Sequence, residues 1–419
     1  MSSRVRWLMV GLMFLAGLVQ YLDRSALSIA APLVSQDLGL DPAQLGIVFS
    51  SFFFGYAPFC FVGGWASDRI GPKWVLILAM VVWSLFCGMT AAAIGIGTLV
   101  LYRVIFGIGE GPFSSTANKM VSSWFPRREQ ASAVAVANAG TPLGGAVAGP
   151  VVGLIAVSFG WRWSFIVIAL IGVAWVVLWS VLATDRPEQN QRVSAAERQA
   201  IAADRDKAVD AAPMLPLGHY LCRPAVLATA FAFFGYAYIL YFFLAWFPSY
   251  LTMQQHLSIK SMSVVNVIPW AVGFIGLVAG GFLTDAIFRR TGDAVFARKL
   301  VLVGCLAIAA VCVALAGLVA SVEAAVLLMA VSVFFMYLTG NTYWAIILDT
   351  VEPSRIGGVG GFVHLIANIA GIVAPSVTGF LVQTTGSFTS AFVLTGAMAV
   401  IGALLVAVFV KRSPVLAAA

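Results

Sequence analysis

Two charged side chains lie seven residues apart inside an apolar stretch of the sequence. Arg103 and Glu110 are the only charged residues between about Ile94 and Phe113. Seven residues make nearly two helical turns, so both side chains should point the same way, roughly 10 Å apart along the axis. A charge in membrane hydrocarbon is costly unless it faces protein or water. The pair therefore predicts a transport site, with a fixed ion pair between packed helices as the alternative.

A second pair of opposite charges, Asp23 and Arg24, lies past the middle of the first apolar stretch. Neighbouring helical residues lie about 100° apart, so both side chains can face one cavity without forming a simple pair. Alternatively, they only lock the first helix against its neighbours. The first half of the chain thus holds two arginines and two acids within apolar segments.

The composition predicts an integral membrane protein. Of the 419 residues, 61% are hydrophobic and 10% are charged, whereas about a quarter are charged in soluble domains. Apolar runs of about 20 residues are long enough to cross a bilayer, and they predict an all-α protein with twelve transmembrane helices. These lie near 7–33, 43–66, 73–93, 94–118, 129–158, 162–183, 223–251, 262–286, 299–320, 322–349, 357–383 and 387–410.

The net charge of +7 comes mostly from Lys and Arg in the predicted loops and at helix ends, and it does not indicate a nucleic-acid partner. If both termini are cytoplasmic, all but four of the 24 Lys and Arg lie on the cytoplasmic side or at its helix ends. The exceptions are Arg24, Arg103, Arg162 and Lys260. This bias predicts a multi-pass protein of the inner (plasma) membrane with both termini in the cytoplasm. We expect a monomer in the lipid bilayer.

A loop after the second span carries a specific motif. The stretch Gly63-Gly-Trp-Ala-Ser-Asp-Arg-Ile-Gly-Pro-Lys73 resembles the loop between helices 2 and 3 of the major facilitator superfamily. Its motif residues, expected to form a gating loop, are Gly64, Asp68, Arg69, Gly71 and Lys73.

The second half repeats this pattern in a degenerate form. Gly280-Gly-Phe-Leu-Thr-Asp285, followed by Arg289 and Arg290, occupies the matching loop, and Pro353-Ser-Arg355 corresponds to Pro126-Arg-Arg128. The resemblance implies the major facilitator fold, two pseudo-symmetric six-helix bundles with the substrate site between them near the midplane.

A polar, alanine-rich stretch separates the two halves. Ser194 and Glu197 have the spacing of a capping box and predict an amphipathic helix. We therefore divide the chain into an N-terminal bundle (1–183), a cytoplasmic linker (184–221) and a C-terminal bundle (222–419). A regulatory docking surface is the alternative to a solvated connector.

Four stretches resemble the anion:cation symporter family, and they are Tyr21–Arg24, Arg103–Glu110, Ser122–Pro126 and Tyr241–Leu251. Within that family the chain is similar to bacterial carriers of galactonate, glucarate and hexuronate over nearly its whole length. The resemblance implies proton-coupled uptake of an organic carboxylate, most directly a sugar acid or aldarate, without cofactor or metal. Asp23 and Glu110 match proton carriers, whereas Arg24 and Arg103 match residues that hold charge.

Further polar and aromatic residues complete the candidate site. His364 and Asn368 are four residues apart and share one helix face, although a structural hydrogen bond is the alternative to ligand contact. The small-residue run Gly140–Pro150 resembles a motif associated with antiporters. The whole set expected to contact substrate is Tyr21, Arg24, Tyr56, Arg103, Asn138, Thr141, Tyr241, Trp344, His364 and Asn368.

Three positions depart from the galactonate carriers. Phe233 and Thr141 stand where those carriers have amides, and His364 replaces an Asn. Fewer amides mean fewer partners for hydroxyls, which leaves an aldarate or a less hydroxylated, even aromatic, carboxylate open.

Charge arithmetic gives a mechanism for symport. Two arginines and two ionised acids are neutral together, whereas protonating Asp23 and Glu110 leaves two positive charges for a carboxylate to neutralise, so proton and anion binding help each other. An organic-anion exchanger or drug exporter of the same fold is the alternative, although two buried arginines would repel cationic drugs. No nucleophile with its base and no phosphate loop is recognisable, so we predict that the protein is not an enzyme.

Overall fold

The computed structural model describes residues 5–202, 216–351 and 356–410, and no strand occurs in these ranges. Twelve helical segments are long and apolar enough to cross a membrane, which confirms the predicted fold class. The helices are α1 (Val5–Leu38), α2 (Pro42–Ile70), α3 (Pro72–Met89), α4 (Ile96–Glu110), α5 (Phe113–Trp124), α6 (Arg127–Asn138), α7 (Gly140–Phe159), α8 (Trp161–Leu182), α9 (Ala195–Ala202), α10 (Leu217–Leu221), α11 (Pro224–Met253), α12 (Ile259–Val265), α13 (Val267–Thr291), α14 (Ala294–Ala316), α15 (Val322–Leu338), α16 (Thr342–Thr350), α17 (Ile356–Thr385) and α18 (Thr389–Phe409).

Four of the spans are broken into two helices each, namely α4–α5, α6–α7, α12–α13 and α15–α16. Proline has no N–H for the helical hydrogen bond, and Pro112, Pro142 and Pro269 lie at or just after three of the breaks. The fourth break contains Gly340. Glu110 is the last residue of α4, so one break directly follows a candidate site residue.

The chain forms two compact units. Unit 1 comprises Met1–Leu40 and Ser51–Asp210, and unit 2 comprises Asp41–Ser50 and Ala211–Ala419. The domain boundaries expected from the sequence stay a prediction. Linker residues 203–215 and the repeat segment 353–355 lie outside the described residues, as do the side chains of Arg127, Arg128 and Asp285.

The same helix pairs recur in the two units. In unit 1, α1 packs on α7 and α8, and α3 packs on α4 and α8. In unit 2, α11 packs on α17 and α18, and α14 packs on α15 and α18. These are corresponding spans of the two sequence halves, so the internal repeat is a repeat of packing.

Helices α2 and α4 approach each other through glycines. A Cβ on Gly107 would lie 2.1 Å from the Phe52 carbonyl oxygen, and one on Gly55 would lie 2.0 Å from that of Val104. Small residues permit this backbone contact between membrane helices. It brings the aromatic face of α2 against the helix that carries Arg103 and Glu110.

The helix predicted for the linker is α9, and it packs on unit 1. The Ser194 hydroxyl accepts a hydrogen bond from the Glu197 N–H at 3.2 Å. The Glu197 side chain is buried and lies 3.9 Å from Arg6 Nε, measured to its Oε1. Ile201 is also buried. Thus α9 is attached to the start of α1 rather than surrounded by solvent.

Candidate functional site

Five polar side chains from α1 and α4 are buried together in unit 1, and we call them the ionic cluster. They are Gln20, Asp23, Arg24, Arg103 and Glu110, none more than 6% exposed. All four charged residues singled out in the sequence belong to this set.

Glu110 pairs with Arg24 on another helix. Arg24 Nε donates to Glu110 Oε1, and Gln20 Nε2 donates to the same oxygen at 2.9 Å. The sequence spacing placed Arg103 and Glu110 on one face of a helix, and the structure shows that the ion pair of Glu110 is made with Arg24. Residues seven apart are roughly 10 Å apart along a helix axis, whereas the packing of α1 beside α4 brings Arg24 into direct contact.

Aromatic rings surround the Arg24 guanidinium. Its central carbon lies 4.4 Å from the ring centre of Tyr56, 4.8 Å from that of Phe52 and 5.5 Å from that of Tyr21. The negative ring faces attract a cation, and more strongly where water is excluded. Tyr21 and Tyr56, both predicted site residues, therefore contact the cluster through Arg24.

Arg103 has a different environment. Its guanidinium carbon lies 5.1 Å from the Phe52 ring centre and 5.0 Å from that of Phe106. Among the residues that the structure describes, no carboxylate lies within 4.0 Å of it, and its Nε has no hydrogen-bond partner. Within the described residues, the Arg103 guanidinium thus lies against rings and forms no ion pair.

Asp23 lies against α3. Its side chain lies near the indole of Trp83 and the thiol of Cys87. Within the described part of the chain, its Oδ1 has no hydrogen-bond partner. A buried carboxylate without full hydrogen bonding is costly when ionised, so Asp23 is suited to carry a proton.

Among the described residues, the cluster thus contains one ion pair, Arg24 with Glu110, and two further charged side chains, Arg103 and Asp23, that form no ion pair within 4.0 Å. Protonation of either acid changes the net charge of a buried site by one unit. Such a site can bind an organic anion and protons together.

Two predicted residues do not join this cluster. Asn138 is exposed at the end of α6, and the Thr141 hydroxyl donates to the Asn138 carbonyl oxygen at 2.9 Å. No hydrogen bond links either side chain to the ionic cluster within the described ranges.

The loop motif ties four helices together. Asp68 on α2 forms an ion pair with Lys119 on α5 at 2.6 Å. The Lys73 N–H, at the start of α3, donates to Asp185 Oδ1 at 2.7 Å, and Lys73 Nζ donates to the Ser180 carbonyl oxygen at 3.0 Å. Gly71 has φ +87°, and a Cβ there would meet the Asp185 carboxylate. The positive φ therefore favours glycine at this position of the motif, and a larger residue would also displace the Asp185 carboxylate.

The other motif residues make lighter contacts. The Arg69 guanidinium carbon lies 4.2 Å from the ring centre of Trp65. A Cβ on Gly64 would make only ordinary contact with Ser115.

Unit 2 contains a second polar group, formed by Tyr241, His364 and Asn368. The Tyr241 hydroxyl donates to Asn368 Oδ1 at 3.1 Å. Asn368 Nδ2 donates to the His364 carbonyl oxygen and to His364 Nδ1, both at 2.9 Å. Because an amide NH₂ only donates, Nδ1 accepts and the neutral ring carries its proton on Nε2.

The His364 ring of this polar group lies near two further rings, those of Trp344 and Phe233. The Trp344 and His364 ring centres are 6.1 Å apart, and Phe233 lies 6.5 Å from Trp344 and 6.0 Å from His364. Phe233 also stacks on Tyr343 at 4.6 Å. The predicted residues of unit 2 are therefore brought together.

Four residues that belong to the ionic cluster or contact it were not predicted as site residues from the sequence. Gln20 lies four residues before Arg24, and Phe52 lies four residues before Tyr56, so each shares a helix face with a predicted residue. That spacing could have identified both. Trp83 and Cys87 gave no such signal, because only packing brings α3 against Asp23.

Twelve spans in two matching units, with a buried ionic cluster, define a membrane transporter. The model of the Major Facilitator Superfamily matches residues 13–344 and 290–419, and the chain belongs to that superfamily. The predicted relationship to its sugar-acid carriers is confirmed.

Three curated relatives cover nearly the whole chain. The hexuronate transporter of Bacillus subtilis is 51% identical over 98% of this chain and 96% of its own. The probable sulfoacetate transporter SauU of Cupriavidus necator is 35% identical, over 96% and 93%. The probable galactarate/D-glucarate transporter GudP of B. subtilis is 30% identical, over 95% and 90%. These relatives are transporters, which confirms that the protein is not an enzyme.

Solved structures show the same fold. A bacterial homologue of the human lysosomal transporter Spinster, inward-facing and occupied, superposes with a TM-score of 0.79 at 17% identity, covering 99% of this chain and 100% of its own. The xylose transporter XylE of Escherichia coli, inward open, gives 0.78 at 17%, covering 98% and 97%.

Proposed function

We propose that this protein takes up a sugar acid, a hexuronate in particular, together with protons. The named substrates of the relatives support this substrate class, because hexuronate, galactarate and sulfoacetate are all small organic anions with a carboxylate. The ionic cluster supports the coupling. We further propose an inner-membrane location with both termini cytoplasmic, as the distribution of Lys and Arg favours.

Arg103 is proposed to hold the substrate carboxylate. Its Nε makes no hydrogen bond within the described residues, and its neighbours are rings. A planar guanidinium donates two parallel hydrogen bonds to a carboxylate, which gives a strong and directional contact. An anion there would supply the negative charge that Arg103 lacks in this structure.

Asp23 and Glu110 are proposed to carry the protons. With both acids ionised, they balance the two arginines, and little attraction for an anion is left. Protonation of Asp23 removes the charge of a buried carboxylate whose Oδ1 has no hydrogen-bond partner within the described ranges. Protonation of Glu110 weakens its ion pair and leaves Arg24 positive. The protonated cluster is therefore proposed to attract an anion. The observation that carries the proposal is the burial of two arginines together with two carboxylates.

The empty, ionised cluster is compensated in charge, and so is the cluster loaded with one proton for each negative charge of the substrate, which is one proton for a hexuronate. A state with only one kind of solute bound carries a net charge in a buried site, and burying it costs several kcal/mol. Conformational exchange is therefore proposed to favour the two compensated states, which couples anion movement to proton movement.

Transport by purified protein in vesicles tests this function. We expect an inward pH gradient, acidic outside, to drive accumulation of glucuronate or galacturonate above the equilibrium level, and added substrate to move protons in with it. Sulfoacetate and glucarate serve as competing anions. Equal uptake with and without the gradient, and no proton movement, would contradict symport and favour exchange. Failure of every sugar acid to enter would refute the substrate class.

A further inference from the structure

In unit 2, the ring of Trp344 beside His364 is partly exposed. Trp344 is 41% exposed although its ring lies near those of Phe233 and His364. Phe233, in contrast, is 9% exposed and is fixed against Tyr343. The Trp344 ring thus lies beside the buried ring of Phe233, while part of its own surface is accessible.

The backbone of α17 sets the position of this indole. A Cβ on Gly360 would lie 2.6 Å from the Cζ3 atom of Trp344, so a side chain there would displace the ring. A Cβ on Gly361, the next residue, would have nothing within 4 Å. The close approach of Gly360 therefore determines where the Trp344 ring lies, whereas Gly361 has no such contact.

The polar group beside the rings is already engaged. Asn368 uses Oδ1 to accept from Tyr241, and it uses Nδ2 to donate to His364. It would have to break these bonds to satisfy a row of substrate hydroxyls. This part of unit 2 therefore offers more aromatic surface than hydrogen-bonding groups.

The ring form and the open chain of a sugar acid differ in the surface that they present. A pyranose has a face of C–H groups that packs on an aromatic ring, with its hydroxyls pointing outward. An open-chain polyol has hydroxyls along its whole length, and those placed against an aromatic ring lose their hydrogen bonds to water at a cost. An aromatic surface with few free polar groups favours the ring.

We infer that Trp344, supported by Phe233 and His364, is a platform that selects the pyranose form of a sugar acid over open-chain acids. The inference rests on the proposed function, since it takes a sugar acid as the substrate. It adds that the pyranose form is the one recognised, and that Trp344 with Phe233 and His364 distinguishes this form from open-chain acids.

A matched pair of ligands tests the selection by isothermal titration calorimetry. The 1,5-anhydro analogue of glucuronate cannot open, whereas L-gulonate, the acid obtained by reducing glucuronate at C1, has the same stereocentres and carboxylate but is an open chain. We expect the wild-type protein to bind the ring analogue about tenfold more tightly, since aromatic contacts of this kind are worth about that factor.

Variants locate the preference. Trp344→Ala and Gly360→Ala should bring the ratio of the two affinities close to one, mainly through weaker binding of the ring analogue. Gly361→Ala adds the same methyl group without a contact and should keep the wild-type ratio. A wild-type protein that binds both ligands equally, or a Trp344→Ala variant that keeps the preference, would overturn the inference alone. If the wild type binds neither hexuronates nor open-chain sugar acids, the proposed function is wrong, and the inference fails with it.

Discussion

Arg24 and Arg103 are both buried in unit 1, but their partners differ. Arg24 has a carboxylate, Glu110, and an aromatic surround, whereas Arg103 has rings alone within the described residues. A buried arginine without a carboxylate is the better candidate for an anion from outside, because binding then compensates its charge. The arginine paired with Glu110 is the better candidate for a response to protonation.

We expect Arg103→Lys to weaken binding of glucuronate by about 10-fold to 100-fold, because an ammonium cannot make the two-pronged contact of a guanidinium. Calorimetry on purified protein measures it. Arg192→Lys, at an exposed position, is the control and should bind as the wild type does. Normal affinity in a folded Arg103→Lys variant would remove this residue from the site.

The types of the site residues were visible in the sequence, but their pairing was not. Intramembrane charges at positions 23, 24, 103 and 110 are conspicuous in apolar segments. Whether Glu110 meets Arg24 or Arg103 depends on how α1 packs beside α4, which is a tertiary property. Spacing along one helix carries no information about that contact.

At the scale of elements, the contact between α2 and α4 supports the cluster. Phe52 contacts both arginines, and its backbone carbonyl lies against Gly107. The distance between the two helices therefore determines where both cations lie.

Gly107→Ala should lower the free energy of unfolding by about 1–3 kcal/mol, as overpacking does. It should also weaken anion binding, because the helices must separate. Gly97→Ala on the same helix has nothing within 4 Å of the added methyl group and is the control. Thermal unfolding in detergent compares the two variants. Equal melting temperatures would show that the close approach does not matter for stability.

The packing of α9 makes a separate prediction. Arg6 lies between Glu129 and Glu197, with its Nη2 3.1 Å from Glu129 Oε2, and the Glu197 carboxylate is buried. Glu197→Ala leaves Arg6 one carboxylate partner and should cost about 1–3 kcal/mol of stability. Arg192→Ala, at an exposed position in the same segment, should cost little. If both variants melt alike, α9 contributes no stability through Glu197.

The breaks within spans were partly readable from the sequence. Pro112, Pro142 and Pro269 mark three of them. The packing of α9 was harder to predict, because an alanine-rich charged helix is compatible with solvent. Only the contact of the buried Glu197 with Arg6 identifies the docked face of α9.

At the scale of the whole molecule, hydropathy alone gave the twelve spans, since a bilayer requires long apolar helices. The repeat of helix pairs in the two units followed from the matching loops. The proposed coupling also belongs to this scale, because it concerns which charge states can change conformation.

Glu110→Gln tests that coupling most directly. The amide has the shape of the protonated acid and cannot ionise, so anion binding should survive. The empty carrier could no longer restore its ion pair with Arg24 and would return poorly. Exchange of external for internal substrate does not use the empty return step and should persist. Glu323→Gln, at an exposed position at the start of α15, is the control.

The measurement is glucuronate counterflow compared with uptake driven by a pH gradient, in the same proteoliposomes. The account predicts that Glu110→Gln retains counterflow and loses accumulation under the gradient, while Glu323→Gln retains both. If Glu110→Gln accumulates substrate under the gradient as well as the wild type does, Glu110 is not a coupling group and the proposed mechanism is wrong.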